Sequence, residues 1–92
     1  MRLTNKEIDK IKSILEAIFE EPTIYLFGSR LHHHKKGGDI DLFIVSKDDN
    51  LLEKKIKAIA KLERVLYKPV DIVLHKDFSR EIEKEALKGI VL

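Results

Sequence analysis

The chain has 92 residues, of which 37% are charged and 43% apolar, with a net charge of +2 and no cysteine. One domain spanning 1–92 fits that length, with one modest core. Disulfides and thiolate metal sites are excluded, and the net charge is too small to argue for nucleic acid as a partner, which is not expected. No long apolar run marks a membrane span or a signal segment, so a cytoplasmic protein is expected.

Thr4-x-x-Glu7 is a capping box ahead of Ile8, Ile11, Ile14, Leu15, Ile18 and Phe19, which recur at helical spacing. A helix is predicted over about 5–20, stopped by Pro22. "TIYLF", residues 23–27, is β-rich and apolar on both faces, and reads as a central strand ending at Gly28. Ser29-Arg30-Leu31 begins a short helix, and "HHHKKGG", residues 32–38, reads as a loop. "DIDLFIV", residues 39–45, is a second strand, and "KDDN", residues 47–50, is a turn leading into a helix over 51–66. Its apolar stripe is read as Leu52, Ile56, Ile59, Leu62 and Leu66. Pro69 ends that helix, "VDIVL" at 70–74 is a third strand, and Asp77 or Ser79 caps a last helix reaching about Lys88, with Gly89 as its C′ residue. The terminal "IVL" is short enough to add a strand or dock on the core. The order α-β-α-β-α-β-α implies an α/β or α+β fold, a small mixed sheet covered by helices.

Three acids stand out. Side chains alternate along a strand, so Asp39, Asp41, Phe43 and Val45 share one face and Ile40, Leu42 and Ile44 the other. The acidic face turns apolar halfway, which puts both acids at the sheet's end, near solvent. Two residues apart in a strand, their Cα atoms are roughly 6.6 Å apart. Charges at about 6 Å repel by roughly 3 kcal/mol at an effective dielectric of 20. A divalent cation converts that repulsion into attraction, and Mg²⁺ takes carboxylate oxygens while keeping positions for phosphates. Asp71 repeats the design at the start of the third strand.

"LFGSR" supplies a phosphate-binding turn: Gly28 permits close backbone approach, Ser29 offers a hydroxyl and an N–H at a helix start, and Arg30 adds positive charge. Gly28 and Asp39 meet at one sheet end if the first two strands are antiparallel. Asp71 joins them if the second and third are parallel, and the helix of 51–66 is long enough for that crossover.

"FGSR", "GGDIDLFIV" and "VDIVL" together resemble the DNA polymerase β superfamily of nucleotidyltransferases. The small size and the C-terminal "LKGIVL" look most like its minimal nucleotidyltransferase (MNT) group, the antitoxin-like proteins paired with HEPN-domain toxins. The resemblance implies that Gly28 and Ser29 hold the triphosphate with help from Arg30. Asp39 and Asp41 would bind two Mg²⁺ ions, and Asp71 would bind the catalytic ion and help activate the acceptor hydroxyl. It also implies AMP transfer from ATP to a hydroxyl, as in adenylylation of a toxin tyrosine. Larger relatives grip base and acceptor with a further domain; here a HEPN partner or a second copy of the chain is expected to supply those contacts. The alternative is a binding subunit that neutralises its partner by contact alone. A phosphatase with a nucleophilic aspartate fits poorly, because its acids belong at the C-terminal end of a parallel strand.

His32, His33 and His34 point in different directions in either a helix or a strand, so they form no single ligand face. They read as a solvated loop, with Lys35 and Lys36, able to contact phosphate or the partner. The lysines of 51–66 are interrupted by Glu53 and Glu63, as on a solvated face.

Overall fold

A computed structural model describes residues 3–28 and 39–92. The expected short helix from Ser29 and the histidine loop lie outside the described residues.

Helix α1 (Asn5–Ile18) opens with the capping box. Thr4 Oγ1 accepts the Glu7 N–H at 3.1 Å, and Glu7 Oε1 accepts the Thr4 N–H at 2.9 Å. The helix ends two residues before the expected stop. Phe19 is extended (φ −103°, ψ 150°), and its side chain is buried in the core. Glu21, just before Pro22, turns the chain with φ 44°, consistent with the exclusion of helical backbone before proline.

Strand β1 (Thr23–Phe27) pairs antiparallel with β2 (Ile40–Val45). Helix α2 (Leu51–Leu66) crosses over to β3 (Val70–Leu74), parallel to β2. After α3 (Glu81–Ala86), β4 (Ile90–Val91) pairs antiparallel with β1, giving the sheet order β3-β2-β1-β4. Both conditions on strand direction raised by the sequence are therefore met.

The two sheet faces are filled differently. Ile24, Ile40, Leu42, Ile44 and Ile72 pack with Ile11 and Leu15 of α1 and Leu62 of α2. The opposite face carries Phe27 and Phe43, closed by Ala86 and Ile82 of the much shorter α3. Phe43 is fully buried and tilts against Tyr25 at 5.6 Å between ring centroids. A side chain of that size contributes about 1.5–3 kcal/mol by burial.

Three expectations change. In α2, Ala58, Leu62 and Leu66 are buried, while Leu52 and Ile56 are 67% and 62% exposed. The helix leads to an outer strand, so only its flank toward the sheet and α1 is covered. The last helix begins at Glu81, after Arg80, rather than at Asp77 or Ser79. Asp77 Oδ1 instead accepts both the N–H and the hydroxyl of Ser79, a local turn that competes with helix. Gly89 lies two residues past the cap at Leu87, beyond the C′ position. A Cβ there would sit 2.3 Å from the Leu26 carbonyl oxygen and 2.9 Å from Phe27 Cβ. Glycine is required there for close approach to β1.

Candidate active site

The strand register assembles one end of the sheet. Asp41 is the Cα partner of Phe27 across the antiparallel pair and of Asp71 across the parallel pair. Cross-strand partners project to the same face and lie about 4.8 Å apart. Asp41 and Asp71 thus stand side by side on the face of Phe27 and Phe43. Asp39 precedes β2 by one residue and is exposed, Asp41 is half-buried, and Asp71 is exposed. Gly28, buried, follows Phe27 directly and so leaves β1 at this same end. Ser29 and Arg30 lie outside the described residues. The sheet therefore brings together Gly28, Asp39, Asp41 and Asp71, each from a strand end fixed by a buried apolar run.

Two carboxylates in adjacent strands repel by up to about 3 kcal/mol at an effective dielectric of 20. Their oxygens are hard donors of the kind that Mg²⁺ selects. Among the described residues, no three acid or imidazole groups already converge as a metal cluster. A cation held by this pair would complete its shell with phosphate oxygens or water. Asp41 and Asp71 fit that role by chemistry and register, with Asp39 next along the chain.

At the opposite end of β3 lies a group the sequence reading missed. Glu83, on α3, is fully buried. Its carboxylate accepts the Lys76 N–H at 2.7 Å, the Asp77 N–H at 2.9 Å and Arg80 Nη1 at 2.9 Å, and it meets His75 Nδ1 at 2.7 Å. Burial alone would push this carboxyl up; the His75 ring and the Asp77 and Lys76 N–H groups outweigh it and bring it down to about 2. His75 in turn stacks on Phe78 at 3.9 Å and meets the edge of Phe43 at 6.4 Å. Glu83 thereby locks the 75–80 loop and α3 over the apolar half of the acidic face. The available signal was its spacing: Ile82, Glu83 and Ala86 form one inward stripe of a short helix.

Against known structures, the chain is similar to a chain of the toxin–antitoxin MntA-HepT crystal structure (22% identity, 94% of this chain and 68% of that one, TM-score 0.69). It is also similar to a chain of the complex of a tri-AMPylated Shewanella oneidensis HEPN toxin with an MNT antitoxin (23% identity, 95% and 68%, TM-score 0.68). A third likeness is to a toxin–antitoxin structure with AMP-PNP (24% identity, 95% and 69%, TM-score 0.67). These likenesses concern the fold. No curated protein matches the chain in sequence. The family model for polymerase beta nucleotidyltransferases matches residues 9–92, nearly the whole chain, and the chain belongs to that family.

Proposed function

We propose that this protein is a Mg²⁺-dependent nucleotidyltransferase that moves AMP from ATP to a hydroxyl of a HEPN-type toxin, acting as the antitoxin of the pair. The observation that carries the reading is the register pairing of Asp41 with Asp71 beside the strand end at Gly28. The family supports nucleotidyl transfer. The AMPylated HEPN toxin and the AMP-PNP complex among its structural relatives support the partner and the nucleotide. The whole chain, 1–92, would act as one catalytic domain, and a reaction that draws on ATP fits the cytoplasm.

In this reading Gly28, Ser29 and Arg30 receive the triphosphate. Asp39, Asp41 and Asp71 would hold two Mg²⁺ ions, which when bound would supply neutralisation of the charge that develops during phosphoryl transfer. Asp71 takes the proton of the acceptor hydroxyl. That oxygen forms a bond to the α-phosphorus, the bond to the β-phosphate oxygen breaks, and pyrophosphate departs. The buried halves of β2 and β3 hold the acids in position, so little reorganisation accompanies the reaction.

The test is a mixture of the protein, a HEPN-domain toxin, Mg²⁺ and α-labelled ATP. Label should appear on the toxin with a mass increase of one AMP and loss of toxin activity, and Asp41→Asn should abolish all three. If the Asp39→Asn, Asp41→Asn double variant neutralises the toxin as well as the parent does, neutralisation is by contact and the enzymatic reading fails.

A further inference from the structure

Strand β3 is an outer strand of the sheet. In a parallel pair, alternate residues turn both backbone groups toward the neighbour. The His75 N–H bonds to the Ile44 carbonyl at 3.0 Å, and the Pro69 carbonyl accepts from Ile40 at 2.9 Å. Residues 69, 71, 73 and 75 therefore face β2, while Val70, Ile72 and Leu74 turn their backbone groups outward.

Both ends of that outer edge are capped by side chains. Glu63 Oε2 accepts the Val70 N–H at 2.8 Å, and Arg80 Nη1 donates to the Leu74 carbonyl at 3.3 Å. Such caps limit indiscriminate pairing at a sheet edge. Between them, among the described residues, nothing caps the N–H and carbonyl of Ile72 or the N–H of Leu74. This stretch lines a groove of about 410 Å³, walled by Leu52 and Lys55 of α2 and closed by Lys76 and Arg80. The cations Lys55, Lys76 and Arg80 line it against one carboxylate, Asp71. Leu52 and Ile56 stand exposed one helical turn apart on the flank of α2.

We propose that this groove takes an extended segment of the acceptor protein, rich in acidic and apolar side chains. The segment adds a short strand beside Ile72 and brings its hydroxyl to Asp71. The second part rests on the reading of Asp71 given above. Backbone pairing at Ile72 and Leu74 provides the docking, Leu52 accepts an apolar side chain, and the three cations select acidic neighbours. The caps at Glu63 and Arg80 restrict the added strand to two or three residues, so docking is weak and acceptor release is easy.

The test uses an acetylated, amidated peptide of about eight residues alternating valine with glutamate around one tyrosine. Backbone amide exchange of the isotopically labelled protein is followed by NMR. Saturating peptide should slow exchange at Ile72 and Leu74 about tenfold, leaving Val73 and His75, already paired within the sheet, unchanged. Lys55→Glu, Lys76→Glu together should weaken binding about tenfold, and lysine in place of the peptide glutamates should have a similar effect. No binding at about 1 mM peptide overturns the proposal, as does binding that leaves Ile72 and Leu74 unprotected. So does equal protection by a single-stranded RNA oligonucleotide or by self-association of the protein. Protection without label transfer to the peptide or to any HEPN toxin would remove the nucleotidyl-transfer reading while leaving the docking groove in place.

Discussion

At the start of β3, Asp71 stands beside Asp41 at an exposed end of the sheet, two like charges in register. Beyond the far end of β3, Glu83 of α3 is fully buried, yet two backbone N–H groups, a guanidinium and an imidazole converge on it. The second carboxylate is satisfied by the protein itself and serves the fold. The first arrangement concentrates negative charge where strand and solvent meet, as a site for a cation and its phosphate does. Both ends rest on the same layer of Phe27, Phe43 and Ala86. The contrast is one of burial on a common scaffold: Glu83 is enclosed with its donors, whereas Asp71 stands exposed beside a second acid.

Neutralising one carboxylate at each end should have the largest and most opposite effects. Asp71→Asn should lower nucleotidyl transfer by about 10³-fold, the scale of losing a group that positions charge at the reacting centre. Its stability should hold or rise by up to about 1 kcal/mol, because a like-charge neighbour is removed at an exposed position. Glu83→Ala should do the reverse, costing about 3–5 kcal/mol by stranding Arg80, His75 and the Lys76 and Asp77 N–H groups and emptying a fully buried position. The urea midpoint measures that loss.

The two ends should also differ in their response to acid. The Glu83 carboxyl lies at about 2 in the fold against 4.5 ordinarily, so its contribution is fully present above about pH 4.5 and is lost as pH falls toward 2. Glu7, Asp48 and Asp77 are also held low, chiefly by the backbone N–H groups of Thr4, Glu20 and Ser79 respectively, and act in the same direction. Thermal melts from pH 6 to 2 should thus fall steeply for the parent and less steeply for Glu83→Gln.

Gly89→Ala should cost about 1–3 kcal/mol, since the new Cβ meets the β1 backbone. It should loosen β4 more than either end of β3, seen as faster amide exchange at Leu92, whose N–H bonds to the Ile24 carbonyl. The smallest effect expected is that of Thr4→Ala, about 1 kcal/mol from the lost cap of α1, with no change in transfer.

Much of the candidate site is legible from local patterns. Alternation puts Asp39 and Asp41 on one face, the apolar remainder of "DIDLFIV" buries the strand, and the length of α2 admits a parallel crossover. Those three facts bring the acids to one sheet end once β2 and β3 run parallel; the register that sets Asp41 beside Asp71 emerges only with the folded sheet. Glu83 escaped because a charged residue within "EIEKEA" looks solvated until His75 and Arg80 are brought to it from outside the helix. Leu52 and Ile56 have perfect helical spacing, but spacing does not say which flank of α2 a neighbour covers; that depends on β3 being the outer strand. Gly89 suggested a helix cap, whereas its cause is the closeness of β1, a tertiary contact with no local trace.

The most direct measurement compares the parent and Asp71→Asn for AMP transfer to a HEPN-domain toxin and for melting temperature in the same preparation. Transfer should be lost while the melting temperature is retained or raised. Transfer undiminished in Asp71→Asn would mean that Asp71 has no part in the chemistry and would overturn the assignment of the carboxylate pair.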